Sequence, residues 1–185
     1  MNIPNFLSLL RIILVPFVVI FLIQGSYGKA LLTFALAGLT DALDGTLARL
    51  LNRQTVLGAY LDPIADKLLL TASFVTLSIL GIIPSWLTVI VLSRDFIILL
   101  GIAILSIISI PYVVKPAFVG KVTTVLQVGT IFLALLFQAV CRDISYDWIM
   151  ILCWLTGLFT VISGLTYIAR GVKFINSATV KEVKK

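Results

Sequence analysis

Long apolar runs separated by short polar or Gly- and Pro-containing segments recur six times along the chain. They cover residues 5–24, 29–51, 62–83, 86–109, 117–140 and 148–170, each close to the ~20 residues that a helix needs to cross a hydrocarbon core of roughly 30 Å. The pattern predicts an all-α, polytopic membrane protein with six transmembrane helices. Pro84, Pro111 and Pro116 fall in the predicted connections, where a missing backbone N–H costs least, whereas Pro16 is expected to kink or interrupt the first helix. A length of 185 residues leaves no room for a separate soluble domain beside six spans, so residues 1–185 read as a single domain.

Composition agrees with this pattern. Hydrophobic residues make up 61% of the chain and charged residues 12%, against about 45–50% and about 25% in soluble domains. The N-terminus lacks the positive n-region and small-residue cleavage site of a secretory signal, so the first helix is expected to remain. The bias of Lys and Arg orients the spans. With a cytoplasmic N-terminus, Arg49, Arg53, Lys67, Lys115, Lys121, Arg170, Lys173, Lys181, Lys184 and Lys185 lie on the cytoplasmic side, and Lys29 and Arg142 lie outside. Both termini are then cytoplasmic. Tyr27, Trp86, Tyr146 and Trp148 collect at the predicted outer ends, as an interfacial aromatic belt does. The net charge of +6 reads as topology and attraction to anionic lipid heads, not as nucleic-acid binding. Arg142, Asp143 and Asp147 read as a solvated outer loop.

The two cysteines, Cys141 and Cys153, support neither a disulfide framework nor a thiolate metal site. Histidine is absent, so acid–base and metal chemistry must fall to the eight acidic residues. Four of these lie close together: Asp41 and Asp44 are i,i+3 on one predicted helix, and Asp62 and Asp66 are i,i+4 on the next. Each pair shares a helical face. An Asp near a helix centre costs about 2.5–3.5 kcal/mol to insert, and neighbouring carboxylates repel one another unless cations intervene. A set of hard oxygen ligands points to Mg²⁺, Mn²⁺ or Ca²⁺. Two ions shared by the four carboxylates would clamp a pyrophosphate and stabilise the charge that develops on displacement. Gly45, Ala48 and Gly58 keep the helix surfaces small where a nucleotide approaches, and Arg49 adds a positive charge beside the phosphates. The competing reading is a set of interhelical ion pairs with Arg49, Arg53 and Lys67, the small residues serving only packing.

The segment from Asp41 to Asp66 resembles the signature of the CDP-alcohol phosphotransferase family, D-x-x-D-G-x-x-A-R-x8-G-x3-D-x3-D, at all eight defined positions. The resemblance extends to Asn2-Ile-Pro-Asn5, Ser8, Arg11, Pro16, Ser93-Arg94-Asp95 and Gly120-Lys121-Val-Thr123-Thr124 with Gln127. Beyond about residue 135 it is hydrophobic character alone. The resemblance implies a six-helix bundle, a homodimer, and a polar cavity open to the cytosol. It also implies two metals, Mg²⁺ or Mn²⁺, on Asp41, Asp44, Asp62 and Asp66. Asp41, Asp44, Gly45, Ala48, Arg49 and Gly58 would then bind the CDP moiety of CDP-diacylglycerol. An acceptor hydroxyl attacks the β-phosphorus and CMP leaves. Asp66 would also be the catalytic base, although elementary chemistry allows it to be a plain ligand.

The N-terminal pattern and the Gly-Lys-x-x-Thr segment most resemble bacterial members that make phosphatidylglycerophosphate from glycerol 3-phosphate. The expected location is accordingly the bacterial cytoplasmic membrane, with the active site facing the cytoplasm. The apolar run after Arg94-Asp95 departs from many of those members, and there and in the stretch Lys115 to Lys121 the chain also looks like members that make cardiolipin from phosphatidylglycerol. Both acceptors carry a phosphate. Arg94, mid-helix, and Lys121, at a helix start, are the candidate partners for it, with a structural ion pair and snorkelling to the interface as their respective alternatives. A metal-ion transporter would also place carboxylates in the membrane, but the paired repeats with broken helices typical of such proteins are not evident.

Overall fold

The computed structural model describes the backbone of residues 3–51, 56–107, 118–140 and 146–183, and the side chains of residues 8–40, 64–101, 118–140 and 148–171. The described residues form six helices and no strand: α1 (Ile3–Ile23), α2 (Tyr27–Leu51), α3 (Val56–Ile79), α4 (Ser85–Ile107), α5 (Phe118–Val140) and α6 (Tyr146–Val183). Each predicted apolar run corresponds to one helix.

Two turns are closed by glycines in the left-handed region, Gly25 at φ 68° and Gly81 at φ 71°. At the end of α1 the Gly25 N–H donates to Leu22 O and the Ser26 N–H to Phe21 O; at the end of α3 Gly81 and Ile82 donate to Ser78 O and Leu77 O. Both are Schellman caps, which satisfy carbonyls that a helix end leaves unpaired. The cap explains why α3 stops at Ile79 when the apolar run continues to residue 83. Its start is also earlier than expected, at Val56 and not near 62. Pro63 is a common helix-start signal, but here it lies inside the helix. α1 likewise continues through Pro16 without interruption. A lost backbone bond in one turn is tolerated when neighbouring helices hold the segment. α6 runs to Val183, past residue 170, because the end of an apolar run removes the burial of a helix and not its backbone bonding.

α1 packs against α2 and α3, α4 and α5 pack against α6, and α2 against α5 joins the two groups, with lesser contacts of α3 to α4 and α5. The core is built from Val18, Leu22, Phe34, Phe74, Leu77, Leu87, Ile131 and Leu135 with their neighbours. Polar side chains share this interior: Ser8, Arg11, Ser73, Thr123, Gln127, Thr130, Thr156, Thr160 and Ser163 are buried. Large apolar side chains such as Phe17, Leu32, Leu36, Phe96, Val125, Trp154 and Leu165 face outward. Outward apolar faces around a mixed apolar and polar interior suit a lipid-facing protein. Among the described residues, 118–140 and 148–171 meet the length and hydropathy of a membrane span. Cys153 is buried, as expected of an incidental cysteine, and Cys141 lies outside the described residues.

α5 meets α6 along a polar seam. Thr123 Oγ1 donates to Phe159 O at 3.1 Å, Gln127 Nε2 to Thr160 Oγ1 at 3.5 Å, and Thr130 Oγ1 lies 2.7 Å from Thr156 Oγ1. The α5 residues recur at i, i+4 and i+7, and their partners on α6 lie at 156, 159 and 160, so one face of each helix meets the other closely. Nearer the other end, Trp86 of α4 stacks on Trp154 at 4.7 Å between centroids. Gly157 makes room for it, because a Cβ there would sit 2.7 Å from Trp86 Cζ3. Gly157→Ala is expected to destabilise the protein by about 1–3 kcal/mol through overpacking. Thermal unfolding in detergent checks this, and an unchanged midpoint would mean that the α4–α6 contact is loose.

Candidate active site

Charged side chains on apolar helices must find partners, and their pairing maps the polar centre of the molecule. Arg11 lies one turn after Ser8 on the inner face of α1, and both have 0% of their surface exposed. Its guanidinium Nη1 is bound to Oδ1 of Asp66 on α3. The Asp66 side chain is 44% exposed, so the carboxylate spans buried and open surroundings.

The next residue, Lys67, turns toward α4 and binds Oδ1 of Asp95. The same oxygen accepts from Arg94 Nη1 at 2.7 Å. Arg94 Nη2 donates to Ser163 Oγ on α6 at 3.1 Å, and its guanidinium stands 5.7 Å from the centroid of the Tyr167 ring. Arg94 Nε is buried and meets no hydrogen-bond partner among the described residues. Gly120, at the start of α5, leaves space for this group: a Cβ there would lie 3.0 Å from the Tyr167 hydroxyl and 3.5 Å from Arg94 Nη2. Two cations therefore share one carboxylate at the junction of α3, α4 and α6. The described members of this cluster carry one excess positive charge.

Of the residues singled out in the sequence, Asp66 thus pairs with α1 through Arg11, and Arg94 belongs to the cluster that links α3, α4 and α6; the two groups meet in the chain at Asp66 and Lys67. Lys121 is exposed on α5, one residue beyond Gly120. Asp41, Asp44, Gly45, Ala48 and Arg49 belong to α2, and Gly58 and Asp62 to α3, but their side chains lie outside the described residues. Arg94 has the carboxylate partner considered for it, although that partner is its chain neighbour Asp95 and not a residue of a facing helix. Sequence reasoning left Asp95, Ser163 and Tyr167 without roles, took Lys67 only as a topological charge or structural ion pair, and gave Arg11 no role beyond the resemblance. A charge such as Arg11 in the middle of an apolar run was the available signal.

The model of the CDP-alcohol phosphatidyltransferase family matches residues 1–162. The chain belongs to that family. The match passes well beyond residue 135, where only hydrophobic character was legible. The chain is similar to a probable phosphatidylglycerophosphate synthase of Mycobacterium tuberculosis, with 36% identity over 184 residues covering 94% of this chain and 83% of that protein. It is similar to the CDP-diacylglycerol–glycerol-3-phosphate 3-phosphatidyltransferase of Bacillus subtilis at 31% identity, covering 91% of this chain and 94% of the other. It is similar as well to the human cardiolipin synthase (CMP-forming) at 34%, covering 94% of this chain and 63% of that one. This member of the CDP-alcohol phosphatidyltransferase family is a membrane-associated transferase of phospholipid biosynthesis.

Asp95 is the shared acceptor of the α3–α4 cluster, and neutralising it leaves the buried Arg94 without its counter-charge. Asp95→Asn is expected to lower stability by about 3–5 kcal/mol, the scale on which breaking a buried ion pair destabilises a protein. Thermal or denaturant unfolding measures this, and a wild-type midpoint would show that the carboxylate contributes no pairing.

Proposed function

We propose that the chain transfers a phosphatidyl group from CDP-diacylglycerol to glycerol 3-phosphate and releases CMP. The observation that carries the reading is the complete eight-position signature, whose last carboxylate, Asp66, stands half-exposed beside a cationic polar region. An all-oxygen donor set suits hard divalent cations, and the exposure of Asp66 leaves it open to one. In this reading Asp41, Asp44, Asp62 and Asp66 hold two ions, Mg²⁺ or Mn²⁺, which when bound neutralise the pyrophosphate and the leaving CMP.

The residues divide the remaining work. Gly45, Ala48 and Gly58 let the nucleotide approach the α2 and α3 backbones, and Arg49 faces its phosphates. A carboxylate oxygen of Asp66 takes the proton of the acceptor hydroxyl. The acceptor oxygen then bonds to the β-phosphorus, and the bond from that phosphorus to the bridging oxygen breaks with its electron pair going to CMP. The acceptor phosphate is held by Arg94 and Lys121. The excess positive charge of the Lys67–Asp95–Arg94 cluster supports glycerol 3-phosphate, since a small dianion depends more on point charges than a diester lipid does. The second reading is phosphatidylglycerol as acceptor, favoured by the similarity to proteins named cardiolipin synthase.

The same reading makes the chain one domain with six spans in the bacterial cytoplasmic membrane. Both termini and the active site face the cytoplasm, and the protein is a homodimer. The outward apolar faces on the described helices and the Lys/Arg bias support it.

Charge-assisted hydrogen bonds are worth about 1.5–3 kcal/mol, or roughly tenfold or more in affinity each. Arg94→Ala is therefore expected to raise the KM for glycerol 3-phosphate at least tenfold while the KM for CDP-diacylglycerol changes much less. Equal changes in both would remove Arg94 from the acceptor site. Activity is expected to vanish in excess chelator and return with Mg²⁺ or Mn²⁺, and Asp44→Asn is expected to lower turnover by orders of magnitude in a folded protein. Full turnover in chelator, or by the Asn variant, would contradict the two-metal site.

A further inference from the structure

We propose that Arg11 is a positioning residue of the metal site: from α1, it fixes the carboxylate of Asp66 for metal binding. The inference rests on the reading of Asp66 as a metal ligand, and it adds a third helix to a site that sequence spacing confines to α2 and α3.

Arg11 has no exposed surface, so its guanidinium reaches neither solvent nor a substrate in the cavity. Whatever it contributes passes through the groups it touches. One of these is Asp66 Oδ1, which it engages through Nη1 across 55 residues of sequence. A planar guanidinium is always charged and holds its N–H groups in a rigid fork, so it fixes the direction of a carboxylate more strictly than an ammonium does. Asp66 needs such a constraint because it is 44% exposed; an exposed short side chain is otherwise free to change rotamer. Arg11 is itself held in place, since α1 packs against both α2 and α3, the two helices that carry the four carboxylates. Partners that orient a metal-ligating side chain typically contribute 10- to 100-fold to metal affinity or activity.

Positioning and simple electrostatics predict different outcomes, which makes the role testable in the protein alone. Lysine at residue 11 keeps the charge and loses the fork. A purely electrostatic role then predicts unchanged metal affinity, and positioning predicts weaker binding. Glutamine removes the charge, so electrostatics predicts tighter cation binding and positioning again predicts weaker binding. The experiment titrates Mn²⁺ into the purified full chain without either substrate and follows free Mn²⁺ by electron paramagnetic resonance. Wild type, Arg11→Lys, Arg11→Gln, Asp66→Asn and the Arg11→Lys/Asp66→Asn double variant are compared.

Arg11→Lys and Arg11→Gln are each expected to raise the Kd for Mn²⁺ about tenfold or more. The double variant is expected to match Asp66→Asn, since Arg11 acts through that carboxylate. Either variant suffices if the other does not give a monodisperse preparation. Wild-type or tighter binding by a folded Arg11 variant overturns the inference, as does a further loss from Arg11→Lys in the Asp66→Asn background. Unchanged binding by Asp66→Asn instead refutes Asp66 as a metal ligand, which is a separate failure.

Discussion

A charged group inside an apolar helix bundle has to be paired where it stands, and the Arg11–Asp66 contact is where that constraint shapes the molecule most. Arg11 is wholly enclosed, and the carboxylate that it binds belongs to the signature segment. The desolvation of a guanidinium is offset only by close, well-directed partners, so sliding or rotation of α1 against α3 breaks one of these pairings. The register of these two helices therefore sets the position of Asp66. On the neighbouring residue, Lys67 extends the same logic to Asp95 and Arg94, and through Ser163 and Tyr167 to α6.

The packing around this centre combines an apolar core with polar seams and an apolar outer face. Thr, Ser and Gln line the α5–α6 seam, while Phe, Leu and Trp face outward. Apolar contacts between helices gain little where the surroundings are equally apolar, so the interior is held by hydrogen bonds and close approach. Among the described residues, Gly120 and Gly157 are places where a side chain from another helix, Tyr167 with Arg94 or Trp86, comes close to where a Cβ would stand. A polar interior of this kind suits a site that must hold phosphates and cations beside lipid.

Much of this was legible in the sequence because the relevant signals are local. Six apolar runs marked six helices, and α2 and α3 place Asp41 with Asp44 and Asp62 with Asp66 at i,i+3 and i,i+4 positions, relations that follow from helix geometry alone. The ends of α3 were less legible. Pro63 suggests a start that the backbone does not use, and the Gly81 cap ends the helix inside an apolar run. Partner choice was illegible for a different reason: whether Lys67 meets Asp95, or Arg11 meets Asp66, depends on how separate helices are rotated and stacked. Residue type shows that such a charge needs a partner and gives no direction to it.

In the proposed function, the polar centre serves phosphatidyl transfer to a small phosphorylated alcohol. The most direct measurement is the identity of the lipid formed when the purified protein, with Mg²⁺ or Mn²⁺, receives CDP-diacylglycerol together with either glycerol 3-phosphate or phosphatidylglycerol. Phosphatidylglycerophosphate and stoichiometric CMP are expected with the first acceptor, and no lipid product with the second. Cardiolipin from phosphatidylglycerol, with glycerol 3-phosphate left unreacted, would contradict the proposed function.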